Sequence, residues 1–597
     1  MRTPRQPGNL DLGVVGNCSF SALVDARARV VWACLPGFDG DPAFCDLLEP
    51  TAHDGGYFSV EIDHFAASEQ AYLDNTAILR TVLRDDRGGA IEVLDYAPRF
   101  KHHERIYHPV MLVRRLRPLS GSPRVRIRLR PLRGWGAHVP ERRVGSNHVR
   151  WLLDDWNLRL TTDVPLPLVL DEHPFLLDRE SHLVLGPDET LPQGLAGFGR
   201  EQLEQTQAYW RSWVRSLSIP VDWQEAVIRS AITLKLCQDE NSGAIVAAMT
   251  TSIPEHADSG RNWDYRFCWL RDAAFVVRAL NRLGATRSME EYIRYIFNIA
   301  GGRSELAPVY GIHYQSELLE REVDSLAGYR GMGPVRVGND AWRQVQNDVH
   351  GSVVLAASQA FFDRRLDTLG DAAMFRRLVP IGRAAAASWD RPDAGLWEYR
   401  GRSRVHTYSS VMCWAACDRL AKIAAHLQLR DDAFEWRGQA DRIREAILSR
   451  AWSERRRSFV ESTDDLRLDA SALLLADVGF VAPDDPRFVA TVDTLGRALR
   501  RGDVMFRYEE PDDFGMPATA FNVCTLWYVD ALASIGRAEE ARELFDHMLA
   551  RRNGLGLMSE DMDPATGEAW GNFPQTYSAV GLIAAAMRLS RRWEDVV

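Results

Sequence analysis

The 597-residue chain lacks an apolar run of the length, about 20 residues, that a bilayer span requires. Its opening stretch, MRTPRQPGNLDLGVVGN, lacks the apolar centre of a secretory signal, so a cytoplasmic protein is expected. It has no basic run: a net charge of −10 is spread along the chain, which argues against a nucleic-acid partner. Its eight cysteines contain no C-x-x-C pair, and Cys413 and Cys417, one helical turn apart, read as packing residues with reduced thiols. His102, His103, His108, His138 and His148 are scattered without the spacing that zinc requires, so no metal is expected. No G-x-S-x-G elbow follows a strand, and no phosphate loop or dinucleotide fingerprint is present. No cofactor is therefore expected.

Tryptophan, in contrast, is abundant, with eighteen residues. Core packing accounts for more than half of these. Several others sit beside charged residues, as in Trp263–Asp264, Trp397–Glu398 and Trp269 just before Arg271. Flat rings next to carboxylates and guanidinium groups suit sugars, which present apolar C–H faces and polar rims.

Up to about residue 200 the chain reads as short strands, such as YFSVEID, AILRTVLRDD, AIEVLDYAP, VRIRLRP and LRLTTDV, separated by turns. That pattern predicts an N-terminal antiparallel β-sandwich over residues 1–200. A helical stretch, REQLEQTQAYWRSWVRSL, reads as a linker over 201–220. From 221 to 597 apolar residues recur at three- and four-residue spacing. About twelve helices are predicted there, near 223–238, 267–284, 287–301, 345–366, 371–389, 408–427, 431–450, 468–478, 486–499, 519–535, 538–551 and 576–592. Their connections alternate between tight and long, and long links are usually functional. Six hairpins with all long loops on one side predict an all-α (α/α)6 barrel.

The long loops carry acids, arginines and aromatics: SGRNWDYRFCWLRDAAF, GYRGMGPVRVGNDAWRQVQNDVHG, DAGLWEYRG, STDDLRLDAS, FRYEEPDDFGMPATAF and GLMSEDMDPATGEAWGNFPQ. Glycosidic hydrolysis needs two carboxyl groups, one to protonate the leaving oxygen and one to activate water or to attack. Glu398 and Glu560 are the candidates. An apolar wall from Trp397 is expected to raise the pKa of Glu398, as a general acid requires, while Glu560 stays ionised as a base.

At these residues the sequence resembles glycoside hydrolase family 15, which includes glucoamylases, glucodextranases and bacterial trehalases. GRNWDYRFCWLRDAAF, GYRGMGPVRVGN, LWEYRG and SEDMDPATGEAWGNFPQ carry the resemblance. The opening GVVGNCSFSALVDARARVVWACLPGFDGDPAF resembles the trehalase-like N-terminal domain of bacterial members. The resemblance implies an inverting hydrolase with Glu398 as general acid and Glu560 as general base. It implies that Tyr265 helps hold the attacking water, that Trp269 lines the first sugar subsite, and that Arg271 and Asp272 grip the terminal glucose. Trp342 and Trp397 would contribute to the subsites, and Arg507 would reach the leaving-group sugar. Tyr399 stands where fungal members carry a second acid. The implied activity is exo-acting hydrolysis of an α-glucoside with release of β-glucose. Trehalose leads as substrate, and glucoamylase-type hydrolysis of α-1,4/α-1,6 glucans or maltooligosaccharides follows. A disaccharide phosphorylase and a non-catalytic sugar-binding protein remain as alternatives. The expected partner is a small carbohydrate, with neither nucleic acid nor membrane involved, and homo-oligomerisation is left open.

Overall fold

The computed structural model describes residues 8–192 and 194–596. In the N-terminal part, side chains alternate with the pleat. In Arg124–Arg130, RVRIRLR, arginines point outward while Val125, Ile127 and Leu129 are buried. Two antiparallel sheets result, of seven and eight strands among the described residues. The five strand stretches read from sequence fall on Tyr57–Ile62, Leu79–Asp85, Ala90–Tyr96, Arg124–Arg130 and Asn157–Thr162. One apolar core joins Val60, Ile127 and Leu129 of the first sheet to Leu83, Val93 and Leu160 of the second, which makes the unit a sandwich. A helix, Leu195–Arg215, leaves it, tied to the second sheet where Tyr96 Oη donates to the Gly199 carbonyl at 2.6 Å.

The helical part contains the twelve expected segments. Six of them form a closed ring: Asp272–Leu283 packs on Asp348–Phe362, which packs on Thr407–His426, then on a 3-10 turn, Ala470–Leu474, continuing as helix Leu475–Val478, then on Asn522–Ser534, then on Thr576–Leu589, which returns to the first. These inner helices follow the long loops. Several are apolar on every face, as in NVCTLWYVDALAS and TYSAVGLIAAAMRL, because barrel and outer layer enclose them from all sides. Outer helices have one wet face, as in TRSMEEYIRYIFNIA over Thr286–Ala300. The fold is an (α/α)6 barrel. The second predicted segment begins at Asp272 rather than 267, because Cys268–Trp269 pairs as a short strand with Val309–Tyr310. All eight cysteines are buried. No described helix is long and apolar enough to cross a membrane.

The sandwich and the barrel are joined through polar groups withdrawn from water. Trp32 Nε1 donates to the Met249 carbonyl at 2.9 Å. Arg99 donates to Glu240 at 2.6 Å and to the Asn17 carbonyl at 2.9 Å, and Lys235 lies 3.4 Å from the same Glu240 carboxylate. Among the described residues Glu240 is the one carboxylate paired with Arg99, and the Arg99 side chain is 1% exposed. Breaking one partner out of a buried pair costs about 3–5 kcal/mol. Glu240→Gln should therefore lower the thermal midpoint by several degrees, with a loss near the lower figure, measurable by differential scanning calorimetry. An unchanged midpoint would show that this junction adds nothing to stability.

Candidate active site

Five of the six long loops line one cavity at the barrel mouth, enclosing about 990 Å³ of empty space with its opening included. The fourth loop stays behind the wall, where Asp469 accepts the Trp397 indole N–H at 2.8 Å. Glu398 sits on the tight turn of GLWEYRG. Its N–H donates to the Gly395 carbonyl at 3.1 Å, and its own φ is +58°, in the left-handed region that non-glycine residues seldom occupy. Three donors converge on its Oε1: Trp269 Nε1 at 2.7 Å, Arg271 Nη2 at 2.9 Å and Gln346 Nε2 at 3.2 Å. Oε2 accepts none of these, and the side chain keeps 23% of its surface exposed toward the cavity.

Glu560 precedes a small antiparallel sheet in which Asp561–Met562 pairs with Ala569–Trp570 and with Ala520–Phe521. Tyr265 Oη donates to its Oε1 at 2.8 Å, and the Asn572 N–H reaches Oε2 at 3.4 Å. Carboxylate oxygens of Glu255, Glu560 and Asp561 lie within 4.8 Å of one another. Arg507 donates to Glu255 at 2.6 Å and to Asp561 at 2.8 Å, and Arg261 stands 3.6 Å from Glu255. Burial, then the charges of Glu255 and Asp561, push the pKa of Glu560 well above its ordinary value, against the pull of Arg507 and the Tyr265 hydroxyl. Asp561, by burial first, is pushed up to about 7. The surroundings thus oppose the ionised state expected of Glu560. Nor does Trp397 direct its polar edge toward Glu398: its N–H is committed to Asp469, and the immediate partners of Glu398 are polar.

Tyr265, Trp269, Arg271, Asp272, Trp397, Glu398, Arg507 and Glu560 all line the cavity, as the sequence suggested. The Tyr265 and Trp269 rings meet edge to face at 5.3 Å, so one aromatic pair connects the two acids. Arg271 is less open than expected. One terminal nitrogen donates to Gln346 at 2.8 Å and the other to Glu398. Burial raises the pKa of Asp272 to about 7 despite Arg271. Both terminal nitrogens of Arg507 are likewise held by acids. Trp342 is not among the cavity-lining residues; it packs against the apolar cluster that includes Phe267, Trp269 and Leu318. Asn339, Ala341 and Gln344 represent its loop in the wall instead. Sequence reasoning missed Glu255, Gln346 and Asp561. Asp561 follows Glu560 directly and carried a signal, whereas Gln346 and Glu255 lie in text without one.

Gly571, in WGNF, faces Glu560 with φ +73°, and a Cβ there would stand 2.6 Å from the Glu560 Cβ and 2.7 Å from Oε2. Gly571→Ala should push the carboxylate off its place and lower turnover by about 100-fold, the scale of an ångström misplacement. Steady-state kinetics with retention of the circular dichroism spectrum tests this, and an active Ala variant would show that the placement of Glu560 is not critical.

Residues 222–587 match the family described as glycosyl hydrolases family 15, and residues 9–144 match a trehalase-like N-terminal domain. A trehalase of Mycolicibacterium smegmatis is 30% identical, the match covering 100% of this chain and 93% of that protein. A trehalase of Thermoplasma volcanium is 28% identical over 97% of this chain and 93% of its own. Among solved structures, a bacterial glucoamylase complexed with acarbose superposes with a TM-score of 0.68 at 13% identity, covering 99% of this chain and 96% of that one, which marks a common fold. With a match across the whole barrel, this chain belongs to glycosyl hydrolase family 15 and is a glycoside hydrolase.

Proposed function

We propose that the enzyme hydrolyses trehalose with inversion, Glu398 acting as general acid and Glu560 as general base. The observation that carries the mechanism is that both carboxyl groups face one cavity, linked by the Tyr265–Trp269 pair. Glu398 Oε1 is saturated by donors, so Oε2 is the oxygen that can carry a proton toward the glycosidic oxygen. Water beside Tyr265 and Glu560 attacks the anomeric carbon from the other face. The C–O bond to the leaving glucose breaks as its oxygen takes the Glu398 proton, and Glu560 takes the proton of the water. Near-full-length similarity to proteins named trehalase supports the substrate, and with it a cytoplasmic setting.

Inversion has a specific signature here. Attack on α,α-trehalose gives one β-glucose, while the leaving glucose keeps its α configuration. Proton NMR of the first turnovers should show α and β anomers in equal amounts. Only α-glucose would mean retention, glucose 1-phosphate formed in phosphate buffer would mean phosphorolysis, and turnover of maltooligosaccharides in preference to trehalose would return the glucoamylase reading.

The two acids separate by leaving group. Glu398→Gln should lose about 10²–10⁴-fold on trehalose but much less on α-glucosyl fluoride, which needs no protonation to depart. Glu560→Gln should be poor on both. A reversed pattern would swap the roles.

The pH profile follows from the acid cluster. Glu560 must be ionised to act, and its pKa is raised, so the acid limb of kcat/KM should lie above 4.5, the ordinary glutamate value. Activity is lost as pH falls through that limb. Glu255→Gln removes a negative neighbour and should move the limb to lower pH. A limb that does not move, or moves upward, would assign it to another group.

A further inference from the structure

The left-handed backbone of Glu398 persists only where its surroundings impose it. Gln344 of the cavity wall holds the Glu398 carbonyl at 3.2 Å, and further support lies beneath the turn. Gly395, at φ +67°, rests so closely on His406 that a Cβ would stand 2.9 Å from the imidazole ring. Tyr399, on the other side of Glu398, stacks on the same ring at 5.9 Å with 25° between planes. His406 Nδ1 meets Asp393 Oδ1 at 2.7 Å, and Asp393 is where the turn leaves its flanking strand bridge with Arg404. The second Asp393 oxygen accepts the Asn347 N–H at 2.8 Å and the Ser409 hydroxyl at 2.7 Å. These partners sit at the N-termini of the inner helices Asp348–Phe362 and Thr407–His426. The turn is thereby clamped to two walls of the barrel. His406 and Asp393 are 4% and 1% exposed, and His406 does not line the cavity. Burial opposes charge on the imidazole, but Asp393 on Nδ1, Glu461 at 3.9 Å from Nε2 and Asp469 together outweigh burial and raise its pKa.

We infer that His406, paired with Asp393, is the positioning residue of the proton donor: it fixes the 393–399 turn so that Glu398 presents Oε2 to the cavity. The inference rests on Glu398 being the general acid. His406 touches neither substrate nor Glu560, so its loss should impair protonation of the leaving oxygen and spare the rest of the reaction.

The test compares trehalose with α-glucosyl fluoride. His406→Asn keeps a donor toward Asp393 but loses the ring that supports Gly395 and Tyr399. Gly395→Ala presses on the ring from the turn side and leaves the histidine in place. Both variants should lose about 10–100-fold in kcat on trehalose, the scale of a misplaced catalytic group, with KM little changed. Both should stay within about threefold of the parent on the fluoride, in keeping with the modest need for an acid there. Fluoride hydrolysis requires the folded barrel, the glucose site and Glu560, so that activity also reports folding. An equal fall on both substrates would make His406 a general support of the fold and overturn the inference, as would no fall on either. Glu398→Gln is run alongside. If fluoride does not rescue it, the assignment of Glu398 fails and takes this inference with it. If fluoride rescues Glu398→Gln but neither of the other variants shows the split, only the positioning role fails.

Discussion

The segment Trp263–Arg271 ties the cavity to its support, its short extended stretches interrupted by a bend at Arg266–Phe267 and a turn at Leu270–Arg271. Trp263, Tyr265, Trp269 and Arg271 turn toward the cavity, where they meet Glu398 and Glu560. Asp264, Arg266 and Cys268 turn the other way and are fully buried. Arg266 holds Asp264 through two bonds, at 2.9 and 2.7 Å, and donates to the Gly40 carbonyl of the sandwich at 2.9 Å. Both proton-handling groups of the proposed reaction therefore take a hydrogen bond from a single stretch of chain, so their separation is set by covalent spacing and not by loop packing alone.

The second constraint is charge. Six acids, Glu255, Asp272, Asp348, Asp469, Glu560 and Asp561, are buried in or beneath the mouth, with Arg261, Arg271 and Arg507 among them. Burial raises the pKa values of Asp272, Asp348, Asp469, Glu560 and Asp561 alike. In such a set a proton gained by one carboxyl changes the cost of ionising the next. A site of this kind differs from a pair of independent acids. Arg507 sits between Glu255 and Asp561 and leaves Glu560 with a hydroxyl and one long amide contact. The carboxyl that receives a proton in the proposed reaction is thus the least compensated of the three.

The architecture was legible because both signals it needs are local. Alternation such as RVRIRLR announces strands, and the tight–long rhythm of helix links announces a closed ring with one functional end. That Glu398 and Glu560 would meet in one cavity was legible as well, through the company of aromatics in converging loops. Their proton balance was not. The Trp397–Glu398 adjacency suggested an apolar wall, yet the left-handed backbone at Glu398 sends the two side chains to different partners, Asp469 for one and Arg271 for the other. Neighbours across 295 residues, as Tyr265 and Glu560 are, leave no trace in local pattern. The side taken by Trp342 has the same origin: across the 3-10 turn Asp340–Arg343, Ala341 and the following Gln344 line the wall, while the indole packs against the cluster containing Trp269.

The sandwich gains a physical role from Arg266. A guanidinium that is 0% exposed needs more than the one aspartate to satisfy its donors. The missing acceptors and the missing cation surface come from the sandwich: the carbonyls of Phe38 and Gly40, and the Trp135 ring at 4.8 Å. Without that unit Arg266 would face water across its length, Asp264 would lose its partner's fixed orientation, and the backbone between Trp263 and Trp269 would be held from one side only. The same segment fixes Tyr265 against Glu560 and Trp269 against Glu398. A barrel that closes its own ring of helices can thus still depend on a separate β unit for the geometry at its mouth, because the segment that carries Tyr265 and Trp269 is braced from outside the ring.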